Sequence, residues 1–169
     1  VGFNNAFKPK ITGQHQYIPN FMTWAEENDI DVRGHLLIWP GTGAVEDLED
    51  PTAVSGVAYG NHLSNASTSD FASYDVRGAV DAYRASDRGN DAKVALESVV
   101  DAEITEWASQ WNVYEWDVVN ETLNNNLLQE ILGYNQMAEW FNIAETNKVN
   151  PEADLFINEF QIVSAQFEP

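Results

Sequence analysis

The sequence predicts an α/β fold built on a parallel sheet. Two observations predict it. Short apolar runs that read as strands alternate with stretches of helical periodicity, which implies repeated strand–helix units. The chain's 169 residues are 44% hydrophobic, enough for one domain with a real core.

The elements follow in order. Residues 1–7 are short and apolar and read as a strand. Residues 18–28 read as a helix, with Phe21, Trp24 and Ala25 at helical spacing. Residues 31–39 read as a buried strand that stops at Pro40. Residues 41–91 are rich in Ser, Asn, Asp and Gly, with turn signals at Gly60-Asn61 and Arg88-Gly89-Asn90. They predict a long excursion with a short helix near 76–84, a length typical of a functional loop or an insertion. Residues 92–111 carry the clearest helix, marked by Val94, Leu96, Val99, Ile104, Trp107 and Ala108. A strand over 114–120, a helix over 134–147 and, beyond Pro151, a strand over 155–160 complete the chain. Such a sheet can be open or closed into an eight-stranded barrel. The absence of a glycine-rich phosphate loop weakens a nucleotide-binding version.

Charge excludes some partners. Asp and Glu number 27 against eight Lys and Arg, a formal net charge of −19. Nucleic acid and anionic membrane both require basic patches, so neither is an expected partner. No run approaches the roughly 20 apolar residues of a membrane helix. There is no cysteine, so disulfides and thiolate chemistry are excluded. His15, His35 and His62 show no metal-ligand spacing, and neither a metal nor a cofactor is expected.

The chemistry gathers at one strand end. The strand over 114–120 runs into Asn120-Glu121, an amide and a carboxylate at the point where a barrel places its reactive groups. Two-residue alternation predicts that Asp117, Val119 and Glu121 share one side. A buried Asp117 needs a partner. On the preceding strand Arg33, His35, Leu37 and Trp39 share a side, and Arg33 or His35 is placed to supply it. A purely structural polar network is the alternative to a catalytic site.

Residues 31–40 (DVRGHLLIWP), 116–123 (WDVVNETL) and 155–160 (LFINEF) resemble signatures of glycoside hydrolase family 10, the endo-β-1,4-xylanases. Residues 138–154 resemble the helix and turn before the third signature, and 3–8 (FNNAFK) a segment near the family's start. The resemblance implies a (β/α)8 barrel, with about strands 2 to 5 and their helices over residues 1–169. It implies retaining hydrolysis of xylan or xylo-oligosaccharides by a secreted enzyme. By position, Glu121 matches the general acid/base, and Asn120 the residue that bonds the sugar's 2-hydroxyl. His35 and Trp39 match groups that hold and stack that sugar, and Asn5 and Lys8 match contacts to the next sugars.

The matches have gaps. The family's nucleophile is a Glu on the seventh strand, and no counterpart is found here. Glu106, in Ile104-Thr105-Glu106-Trp107, imitates that motif but precedes Glu121 and falls inside a helix with an expected solvent-facing side chain. Pro9, Pro40, Phe160 and Gln161 depart from residues common in relatives, which leaves the outer sugar sites open. The sequons at Asn65 and Asn120 read as chance matches. The chain starts on Val with no visible signal peptide, and reads as a piece of a longer polypeptide that holds the rest of the barrel. Alone it is expected to be inactive and unstable or self-associating, because half a barrel leaves open edges. Another barrel glycosidase, such as a cellulase or mannanase, and a non-catalytic carbohydrate-binding or degenerate barrel remain the alternatives.

Overall fold

The computed structural model describes residues 7, 15–41, 74–123 and 125–159. A 3-10 turn at His15–Tyr17 leads into α1 (Ile18–Glu27), followed by β1 (Arg33–Ile38). Then come α2 (Tyr74–Ala85), α3 (Asn90–Ala108), β2 (Glu115–Asn120), α4 (Leu127–Leu132), α5 (Gln136–Asn147) and β3 (Asp154–Asn158). The strands form one parallel sheet in the order β1-β2-β3, each joined to the next through helices. The α/β expectation therefore holds.

The strand expected over 1–7 lies outside the described residues except for Phe7. That ring is fully buried, edge-on to Trp111 and Trp116. The helix expected near 76–84 is present as α2, while 42–73 lie outside the described residues.

Residues paired across a parallel sheet share a face. One row, Gly34, Trp116 and Leu155, lies toward the helices: α3 packs on β1, and α5 on β2 and β3. The adjacent rows, Arg33-Glu115-Asp154 and His35-Asp117-Phe156, put charge on the other face.

Helical spacing explains what the helices bury. On α3, Leu96, Val100, Ile104 and Ala108 fall four residues apart and are buried, and Trp107 sits beside them. Val94 was expected on that stripe, but two residues before Leu96 it points elsewhere and is half exposed. Likewise Trp24 of α1 is half exposed and stacks on Phe21, while Ile18 and Ala25 carry that helix's buried face. On α5, Trp140 and Ala144 are buried four residues apart.

Gly34 is required by a close approach. A Cβ there would lie 2.3 Å from the ring of Trp116, which is fully buried and cannot swing aside. Gly34→Ala is expected to lower stability by about 1–3 kcal/mol, the usual cost of overpacking a core. A thermal melt checks this, and an unchanged midpoint would mean that Trp116 has room to move.

Candidate active site

All three strands are parallel, so their carboxyl ends lie at one end of the sheet. Below that end sits an ion network centred on Asp117, which is almost wholly buried. His35 Nδ1 lies 2.7 Å from one Asp117 oxygen. A carboxylate only accepts, so Nδ1–H donates, and in the neutral ring this leaves Nε2 as an acceptor. Arg33 donates to Asp117 through two nitrogens and to Glu115 at 3.1 Å, with its guanidinium 4.9 Å from the centre of the Phe156 ring. The sequence left the partner of Asp117 open between Arg33 and His35; both serve. Burial alone would push the Asp117 carboxyl up. The hydrogen bonds from His35 and Arg33 outweigh it and hold the group below the ordinary carboxylate range.

The expected alternation along β2 is not what the strand does. Between Asp117 and Val119 the ladder slips: two steps on β2 match one on β3. The slip behaves as a bulge, in which one extra residue changes the phase of the side chains. Asp117 pairs with Phe156 and Asn120 with Asn158, two residues further along β3, and the two amides bond, Asn158 Nδ2 to Asn120 Oδ1 at 2.7 Å. Asn120, not Val119, therefore shares the side of Asp117.

Glu121 follows in a left-handed conformation, with φ of 54°, which turns the chain sharply out of the strand. Its N–H donates to the Asn158 carbonyl at 2.7 Å, so the ladder continues one residue past β2. Its side chain is half-buried. Asn125, only 3% exposed, bonds Glu121 three ways. The Asn125 N–H and Nδ2 both donate to the Glu121 carbonyl, at 2.9 and 3.0 Å, and Nδ2 lies 3.4 Å from the Glu121 carboxyl. The Leu123 N–H donates to the Glu159 carboxylate at 3.1 Å. Buried Gln129 donates to the Thr122 hydroxyl at 2.7 Å.

The turn is also tied to the end of β1. Leu127 N–H donates to the Gly41 carbonyl and Leu128 N–H to the Pro40 carbonyl, at 3.2 and 3.0 Å. The segment carrying Trp39 and the segment carrying Glu121 are thereby fastened to each other through α4.

Of the expected site residues, Glu121, Asn120, His35 and Trp39 all sit on β1, β2 or the residues that leave their carboxyl ends. Asn5 and Lys8 lie outside the described residues. His35 is held by Asp117; among the described residues no hydrogen bond joins it to Glu121. Glu106 is exposed on α3, as its helical position predicted. Two cavities, of about 340 and 320 Å³, open at the opposite, amino ends of the strands among Asp31, Val32 and Tyr114. Glu121 lines neither.

Sequence reasoning assigned no role to Asn125, Asn158 or Glu159. One signal was present: β3 runs into Asn158-Glu159 as β2 runs into Asn120-Glu121. The repeated pair brings two amides together and sets a second carboxylate beside the turn. Asn125 lay inside an Asn run that reads as an ordinary turn, and α4 was not expected at all.

Residues 79–168, just over half of the chain, match the family described as glycosyl hydrolase family 10. The match runs from within α2 through β3 and includes Glu121. Two curated relatives from Arabidopsis thaliana align with nearly the whole chain. "Endo-1,4-beta-xylanase 5" is 26% identical over 174 residues, 99% of this chain. "Endo-1,4-beta-xylanase 5-like" is 24% identical over 173 residues, 96% of this chain. The chain spans about a quarter of the length of either relative.

Proposed function

This chain belongs to glycosyl hydrolase family 10, and on that footing we propose that it is part of a secreted, retaining endo-β-1,4-xylanase whose proton donor is Glu121. The observation that carries the reading is the end of β2. A half-buried carboxyl leaves the strand directly after a buried amide, within the segment that matches the family.

Retaining hydrolysis needs two carboxyl groups about 5 Å apart on opposite sides of the scissile bond. Glu121 serves as the first. It protonates the departing glycosidic oxygen, then takes a proton from the water that releases the sugar. The second, a nucleophilic carboxylate, is assigned to the full-length protein outside residues 1–169, so this segment alone is expected to be inactive. Asn120 offers its amide to the 2-hydroxyl of the sugar under attack, a bond that strengthens as charge develops. His35, its ring fixed by Asp117, presents its other nitrogen to the same sugar. Trp39 presents an apolar face for stacking. Asn5 and Lys8 extend the contacts to neighbouring sugars. The parallel sheet, with its charged face opposite the helices, is the portion of a (β/α)8 barrel that holds these groups, and that face is the barrel interior.

The test uses the full-length protein on xylan and xylo-oligosaccharides. Proton NMR of the first products is expected to show the β-anomer at the new reducing end before mutarotation. An initial α-anomer would exclude retention. Binding of xylan with no products would exclude the enzyme and favour a non-catalytic barrel.

A further inference from the structure

We propose that Asn125 is a positioning residue that decides which oxygen of Glu121 carries the proton. The inference deepens the reading of Glu121 as proton donor and rests on it.

Glu121 has a conformational problem. Its left-handed backbone is one that a residue with a long side chain seldom adopts, so neighbouring contacts must hold it. Asn125 supplies them. Its main-chain and side-chain N–H groups converge on one carbonyl, that of Glu121. Asn125 is itself buried, and two and three residues on the Leu127 and Leu128 N–H groups donate to the Gly41 and Pro40 carbonyls.

The same amide also reaches the reactive group. Among the described residues, Asn125 is the side chain hydrogen-bonded to the Glu121 carboxyl, at 3.4 Å from Oε2. An amide nitrogen can only donate. Oε2 then accepts, a role that the carbonyl oxygen of a carboxylic acid fills better than its hydroxyl, and this assigns the acidic proton to Oε1. When the C1–O bond breaks, its electron pair leaves with the glycosidic oxygen. That oxygen takes the proton from Oε1, while the opposing carboxylate of the full-length protein attacks C1. Glu121 becomes a carboxylate, and the Asn125 bond becomes charge-assisted and shorter. A long bond that tightens during reaction is usual for catalytic groups.

Leaving-group dependence tests this. A sugar leaving group needs the proton, whereas 2,4-dinitrophenolate leaves without one. In the full-length protein, Asn125→Ala is expected to lower kcat/KM on xylohexaose by about 10- to 100-fold, the scale of a misplaced reacting group. The same variant should change kcat/KM on 2,4-dinitrophenyl β-xylobioside less than about threefold, because kcat/KM ends with the step that expels the leaving group, where dinitrophenolate needs no proton, whereas kcat also contains the later step in which Glu121 acts as base. Asn125→Asp keeps the size and the main-chain bond but replaces the donor with an acceptor, and it should show the same split. If Asn125→Ala melts early, the Asp variant decides. Equal losses on both substrates, or no loss on xylohexaose, would overturn the proposal. Glu121→Ala is measured alongside. If it splits the two substrates and the Asn125 variants do not, only the role of Asn125 falls. If Glu121→Ala fails to split them, the proton-donor reading falls.

Discussion

Glu121→Gln in the full-length protein is expected to lower kcat on xylan by about 10²- to 10⁴-fold, the range supplied by a positioned general acid. The replacement is isosteric and lacks a transferable acidic proton. It leaves the scaffold alone, because the bonds that hold this position use its backbone: the N–H to Asn158 and the carbonyl to Asn125. Its amide oxygen can still accept from Asn125 Nδ2. Circular dichroism and the melting midpoint should therefore match the parent protein. Activity within about threefold of the parent would exclude Glu121 as the acid.

The second large effect falls on stability. Asp117→Ala removes the acceptor shared by Arg33 and His35 and leaves their donors facing each other. Removing one partner of a fully buried ion pair costs roughly 3–5 kcal/mol. Here Arg33 is 37% exposed and His35 21%, so water softens the loss, and about 2–3 kcal/mol is expected from urea unfolding.

The pH dependence identifies the cause. The Asp117 carboxyl lies lower in the folded protein than in the unfolded chain. Its contribution is therefore complete above the unfolded value, near pH 4, and is lost as pH falls through the folded one. The gap between parent and Asp117→Ala should stay constant from about pH 7 to pH 5 and close below about pH 4. Asp101 acts in the opposite sense. Burial, then Glu97 and Glu139, push it up, so acid relieves that site instead of weakening it. Comparing the two proteins at each pH cancels Asp101 and isolates Asp117. A gap that persists unchanged to pH 2 would assign the loss to packing.

Much of the fold was legible because long-range order followed short-range pattern. Leu96, Ile104, Trp107 and Ala108 mark α3 at helical spacing, and the run up to Asn120 marks β2. The link between β1 and β2 could be read from charge: a buried Asp117 had to meet Arg33 or His35, and it meets both. Other features had no local signal. The phase of β2 beyond Asp117 is set by pairing with β3, and pairing is a property of two strands together. α4 is only six residues long, emerges from an Asn-rich stretch and is tethered at its start by the Pro40 and Gly41 carbonyls far back in the chain. Asn125 was obscured for the same reason. An asparagine is ordinary in a turn, and only the fold shows that this one is buried against a carboxyl.

The slip in β2 separates two demands that a regular strand would set against each other. Strict alternation allows neighbours on one face only at even spacings, yet the ion lock at 117 and the amide at 120 are three apart. The supernumerary residue lets one short segment lock onto β1 with its first half and pair its amide with that of Asn158 on β3 with its second. What a descendant of this sequence must preserve around Val118 is therefore the count of residues more than their chemistry. An exchange of side chain there leaves Asn120 where it is, whereas a deletion would rotate it, and Glu121 with it, away from Asn158.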